Sequence, residues 1–300
     1  MINYNPKEWF TFIFRFTKAD TFRRLLPLML AVSIYAGLVA YLELNYLNLA
    51  ERAYIQNVGM MHNVLGFVIS LLLVFRTNTA YDRWWEGRKV WGGMTNTCRN
   101  LAIKIHALGL PDTDRRFFRQ MIPTYAIALR NSLRENEDFS EIDPILDLKP
   151  EKHLPNQLAA RIYQRINQLY TSNTITSAQL WVLNEEAKSL TDLCGAAERI
   201  KNTPIPFTYS VFIKKFIFFY VMTLPFGWVF SLGYFIIPVV VFILYALASL
   251  ELIAEEIENP FGTDANDLPL DQICHNIKKH VGELLADSSS KKESLSKLGA

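Results

Sequence analysis

Residues 57–88 read NVGMMHNVLGFVISLLLVFRTNTAYDRWWEGR. From Asn57 to Phe75, nineteen residues pass without an Asp, Glu, Lys or Arg. At about 1.5 Å of rise each, such a helix nearly matches a hydrocarbon core of roughly 30 Å. The run then ends abruptly at Arg76 in a polar, aromatic and charged segment. The stretch reads as a membrane span, and its internal pattern is mixed. Gly59, Asn63, Gly66 and Ser70 form a stripe of small or polar side chains, beside which Met60, Val64 and Val68 recur every fourth residue. Small residues let helices approach closely. Polar His62 and Asn63 at that depth call for a neighbour, or water, that satisfies them. The pattern therefore supports two readings, a packing helix or a pore-lining one.

Two further apolar regions flank this one. Leu25 to Leu42 is uncharged for eighteen residues and carries Pro27 near its start, where a missing N–H is tolerated. Before it, residues 1–24 interleave Lys7, Arg15, Lys18, Arg23 and Arg24 with aromatics, a composition suited to the membrane interface. The connection Glu43 to Gln56 holds one Arg only, whereas Arg76, Arg83, Arg88 and Lys89 follow the second run. That asymmetry places the N-terminus in the cytoplasm. Phe216 to Leu250 is uncharged for thirty-five residues, about 52 Å as one helix and too long for one upright span. A turn at Pro225, Gly227 and Gly233 would divide it. The third span then begins near Pro206, with Lys214 and Lys215 snorkelling to the inner surface, and the fourth runs from Tyr234 to Leu250.

The predicted organisation is an all-α membrane protein: an interfacial segment 1–24, two spans in 25–75, a cytosolic helical region 76–205, two spans in 206–250, a C-terminal cytosolic segment 251–287 and a disordered tail 288–300. Four spans leave both termini in the cytoplasm. Between Arg76 and Lys215 the apolar residues follow helical spacing, as in Leu158, Ile162, Ile166 and Leu169, and in Leu183, Ala187, Leu190, Cys194 and Ala197. A net charge of +2 with no basic stripe gives no reason to expect nucleic acid. Cys98, Cys194 and Cys274 lack CxxC spacing and read as reduced thiols. No cleavable signal peptide is expected. The chain carries no GxGxxG after a strand, Walker loop, GxSxG or HExxH. Its five histidines are scattered, with no second ligand at metal spacing. An enzyme is not expected.

The segment Phe75 to Gly92, FRTNTAYDRWWEGRKVWG, and the segment Ile257 to Asp267, IENPFGTDAND, resemble the prokaryotic bestrophins. Both motifs and the hydrophobic runs fall in that family's order, over nearly the whole chain. The resemblance implies a homopentameric ion channel whose central neck is built from five copies of the second span. Aligned without gaps from Arg76 and Tyr81, the neck falls on Met60, Val64 and Val68. Anchored instead on Val64 to Phe67, it falls on Gly59, Asn63 and Phe67. A match at Leu193, Cys194 and Gly195 places a cytosolic aperture at Ala178. Animal bestrophins carry a calcium clasp in the second motif. Here the acidic row is sparser, and Asn259, Asp264 and Asp267 are weak calcium candidates beside the plainer reading of a turn. Trp84, Trp85 and Trp91 read as interface anchors or core fillers.

An apolar neck passes ions by wetting and dewetting. Met and Val offer no aromatic ring edges to an anion, and the acidic residues after Leu250 (Glu251, Glu255, Glu256, Glu258, Asp264, Asp267 and Asp271) would gather cations at the inner face. Both features lean toward a monovalent cation such as sodium, with chloride as the alternative. A secondary transporter and a non-conducting scaffold are the rival functions; no internal repeat supports the former.

Overall fold

The computed structural model describes residues 21–47, 53–136, 140–142, 148–149 and 151–286. Residues 1–20 of the interfacial segment expected at 1–24, and the tail expected at 288–300, lie outside them; the remaining four, Thr21 to Arg24, open the first helix. Among the described residues there is no strand. Eight α-helices follow in order: α1 Thr21–Leu42, α2 Ala53–Ala107, α3 Asp112–Arg134, α4 Leu154–Thr171, α5 Ser177–Asn202, α6 Phe207–Leu232, α7 Ile236–Glu258 and α8 Leu270–Leu284. A π-helical turn, Glu43–Leu47, follows α1, and a single 3₁₀ turn, Gly233–Phe235, joins α6 to α7.

The chain divides into two compact units. The first comprises the chain to Trp84 and from Pro204 to Asp267. Among the described residues it holds the stretches long and apolar enough to cross a membrane: Thr21–Tyr46, the first part of Val58–Ala107, and Phe207–Glu258. Their shared core is made by Leu25, Met29, Val32, Ala36 and Ala40 of α1, Ile69 and Leu73 of α2, five residues from Ile213 to Val229 of α6, and Ile236, Val240 and Leu244 of α7. On α1 these residues repeat every three or four positions, one face of a helix. The other face is equally apolar and stays open, with Leu30, Ile34 and Leu38 exposed. Helices apolar all round belong in lipid or inside a larger assembly.

The long third run is broken once, at Gly233. Its φ of +54° and ψ of −139° lie where only glycine is at ease, so α6 stops and α7 starts there. The other two residues of the expected turn have different work. Pro225 sits buried inside α6. Gly227 faces α2, where an added Cβ would come within 3.0 Å of Val58 Cγ1 and 3.3 Å of His62 Nδ1. Gly227 thus admits a close helix approach rather than a bend.

The second unit comprises Trp85–Thr203 and the chain from Leu268 onward. The distal part of α2 supplies Trp91, Met94, Cys98 and Leu101 to its core; α3 adds Phe118, Met121, Ile122 and Tyr125. Leu158, Ile162, Ile166 and Leu169 of α4 are buried, as are Leu183, Ala187, Leu190, Cys194 and Ala197 of α5. A reciprocal capping box between Thr176 and Gln179 starts α5, satisfying two amides that the first turn leaves open. Arg130 and Arg134 of α3 bond the carboxylate of Asp271 at the start of α8.

Candidate functional site

On α2 a single stripe faces the helix's own bundle: His62, Ile69, Leu73, Arg76 and Ala80 are buried. At 100° per residue, the opposite meridian carries Met60, Val64, Phe67, Leu71 and Val74. All five are exposed, Met60 by 70%, Val64 by 60% and Phe67 by 70%. Val68, offset from that meridian, is 39% exposed. The small-residue stripe lies between the two faces. Gly59 looks at the Trp228 ring, 3.9 Å from where its Cβ would stand, and a Cβ on Gly66 would fall 2.7 Å from the Tyr220 hydroxyl. Ser70 donates back to the Gly66 carbonyl at 2.8 Å. The glycines pack against α6, and Asn63 stands exposed at the edge of a cavity shared with His62, Tyr220 and Trp228. His62 finds its partners inside the unit: Nδ1 donates to Val58 O at 2.8 Å, and Nε2 meets Thr223 Oγ1 at 3.0 Å.

The middle of α2 is bolted to the end of α7. Arg76, 1% exposed, donates to Glu258 Oε2 at 2.7 Å, and its Nε lies 3.5 Å from Glu251 Oε2. Glu258 Oε1 accepts from the Ile205 amide at 2.8 Å, and its carbonyl accepts from Arg83 Nε at 3.1 Å. Trp84 Nε1 donates to the Asn266 carbonyl at 3.0 Å. The two sequence motifs, far apart along the chain, are therefore one structural clamp. Lys214 pairs with Glu255 at 2.9 Å. Three of the four glutamates after Leu250 that were expected to gather cations are thus matched by basic partners. Arg76 serves both Glu251 and Glu258, so two cations offset about half of the charge of these four carboxylates at long range, which weakens one premise of the cation lean.

Asp264 and Asp267 form a turn. Asp267 is buried, and its Oδ2 accepts from the Asp264 amide at 2.7 Å. A Cβ at Gly262 would meet the same oxygen at 2.6 Å, so the loop closes tightly over the carboxylate. Asn259 and Asp264 are exposed. Ala178 is exposed on the first turn of α5 in the other unit. Of the three tryptophans, Trp91 fills a core, Trp84 makes the clamp bond, and Trp85 is exposed.

Cys98, Cys194 and Cys274 are buried and unbridged. Burial pushes the Cys98 and Cys274 thiols well up, the latter to about 12, and a neutral thiol is a poor nucleophile. One expectation needs correction. His153, distant from any other ligand in the sequence, lies in the structure against Cys194 and Glu198. The fold brings the residue directly before α4 onto the face of α5, which no spacing rule reveals.

These features define an all-helical membrane protein whose second apolar helix presents an open apolar face. The family model described as Bacterial/Fungal Bestrophin protein matches residues 1–283, and the chain belongs to that family, one of ion channels. A voltage-dependent anion channel-forming protein of Nostoc sp. is 39% identical over 230 residues, covering 73% of this chain and 75% of the relative. The voltage-dependent anion channel-forming protein YneE of Escherichia coli is 34% identical over 224 residues, 72% of this chain and 73% of the relative. A bacterial bestrophin homologue from Klebsiella pneumoniae is 25% identical, with a TM-score of 0.76 over 86% of this chain and 97% of that one.

Proposed function

We propose that this chain assembles as a homopentamer in the inner (cell) membrane and conducts small monovalent anions, chloride foremost, through a neck lined by five copies of α2. The observation that carries the reading is the two-faced character of α2. His62, Gly59 and Gly66 are used within the subunit, while an unbroken apolar meridian from Met60 to Val74 is left open. Four helices, α1, the first part of α2, α6 and α7, would cross the bilayer, with both termini in the cytoplasm and the open leucines of α1 against lipid or a neighbouring copy. Met60, Val64 and Val68 line the neck, with Phe67 on the same open face; the alternative register of Gly59, Asn63 and Phe67 would turn Gly59 away from its place against α6. The second constriction is placed at Ala178.

Anions are preferred over the sodium first suggested by the sequence for three reasons. Relatives at 34–39% identity carry the name of anion channels. Arg76 and Lys214 offset about half of the glutamate charge that would have attracted cations. Phe67, on the open meridian, brings a ring whose partially positive edge suits an anion. The reading uses no cofactor: the Asp264–Asp267 segment acts as a turn rather than as a calcium site. Purified protein in a planar bilayer with asymmetric NaCl tests all parts. Unitary currents reversing near the chloride equilibrium potential are expected. Reversal near the sodium value would return the selectivity to cations, and a silent bilayer would reject the channel.

A further inference from the structure

Three side chains bearing metal-binding atoms converge in the second unit. Cys194 and Glu198 stand four residues apart on α5, and so share one face. His153, directly before α4, reaches onto that face. His153 Nε2 lies 2.5 Å from Glu198 Oε1, and Cys194 Sγ lies 3.4 Å from the same oxygen. The nitrogen, sulfur and oxygen are all within 4.8 Å of one another.

We propose that His153, Cys194 and Glu198 form a binding site for a borderline-soft divalent cation, with zinc the ion whose preferences they meet. Zinc takes imidazole, thiolate and carboxylate ligands at about 2.0–2.3 Å in a tetrahedron, which sets them roughly 3.3–3.7 Å apart. The sulfur–oxygen pair already has that spacing. The histidine–glutamate pair is closer, as a hydrogen bond must be, and opens by less than about 1 Å to admit the ion. Hard cations are selected against, because calcium and magnesium want oxygen alone. The site is sided. Cys194 is buried at its floor while His153 is exposed and Glu198 half-exposed at its mouth, so the fourth position opens to water. The Tyr125 hydroxyl of α3 donates to the Leu190 carbonyl at 3.0 Å, one turn before Cys194, which steadies this part of α5.

The proton count is closed. His153 Nδ1 accepts from the Asn156 amide at 3.3 Å, so the ring's proton is on Nε2, toward Glu198. When the ion binds Nε2, that proton moves by way of solvent to Nδ1, and the long cap bond is given up. The Cys194 thiol proton leaves to solvent as the sulfur–metal bond forms. One proton is released per ion bound.

Cobalt(II), added to the chelator-stripped full-length protein in detergent, tests the site without reference to conduction. One cobalt per chain is expected, with thiolate-to-cobalt charge-transfer absorption and tetrahedral ligand-field bands that zinc abolishes. Cys194→Ser should remove the charge-transfer band. His153→Asn, which keeps a capping side chain, and Glu198→Gln should each weaken cobalt binding at least about tenfold. Circular dichroism and gel filtration establish that each variant is folded. If Cys194→Ser does not fold, the other two variants decide. Absence of stoichiometric binding, a spectrum without sulfur charge transfer, a band that survives Cys194→Ser, or unchanged affinity in the two remaining variants would overturn the proposal.

Discussion

Arg76 shows how much one residue can hold. It is a fully buried cation facing Glu251 and Glu258, and Glu258 in turn receives the Ile205 amide. Burying charges is costly, and the pairing only offsets that cost; removing one partner leaves the other stranded. Arg76→Met is therefore expected to destabilise the fold by about 3–5 kcal/mol, read as a large drop in thermal midpoint and loss of assembled protein on gel filtration. Adding Glu251→Gln and Glu258→Gln should recover part of that loss. A single Arg76→Met variant as stable as the parent would show that the clamp carries no energetic weight.

At the scale of the element, α2 and the α6–α7 connection are the informative cases. Gly233 stands at φ +54° with ψ −139°, a conformation that costs a residue bearing Cβ about 1–3 kcal/mol. Gly233→Ala should lower the thermal midpoint by that amount, whereas Pro225→Ala, inside α6, should leave the connection intact. Equal effects would mean that the break is not a glycine device. For α2, replacing Met60, Val64 and Val68 together by Ala should widen a dewetted constriction and raise unitary conductance. Little stability should be lost, because none of the three is buried in the subunit. Phe67→Ala is the companion variant. If it alone raises conductance and shifts the reversal potential toward sodium, the inner neck position is Phe67 rather than Val68. A triple variant with normal current and weakened assembly would place the open meridian at a contact between helices.

For the whole molecule the decisive quantity is topology. Basic residues flank the inner ends of the first three spans, and Gly233 turns the last apolar region back on itself. Reporter fusions at Met1 and Ala300 should both report the cytoplasm. A periplasmic C-terminus would mean that Phe207–Glu258 crosses once, and the four-span reading would fall.

The sequence by itself determined that this chain is helical and membrane-embedded, because both properties are written in local periodicity and in runs of uncharged residues. It also carried the family, since the motifs around Tyr81 and Pro260 are contiguous strings. The faces of α4 and α5 were legible from spacing for the same reason. Tertiary structure alone decided the rest, where meaning depends on a partner far along the chain. Gly227 looks like a turn residue until Val58 and His62 are seen against it. The glutamates after Leu250 look like a cation-gathering ring until Arg76 and Lys214 are found on them. His153 looks solitary until α5 brings up Cys194 and Glu198. Composition records which charges and ligands a chain possesses. Coulomb's law and metal coordination act over a few ångströms, and only the packing of helices sets those distances.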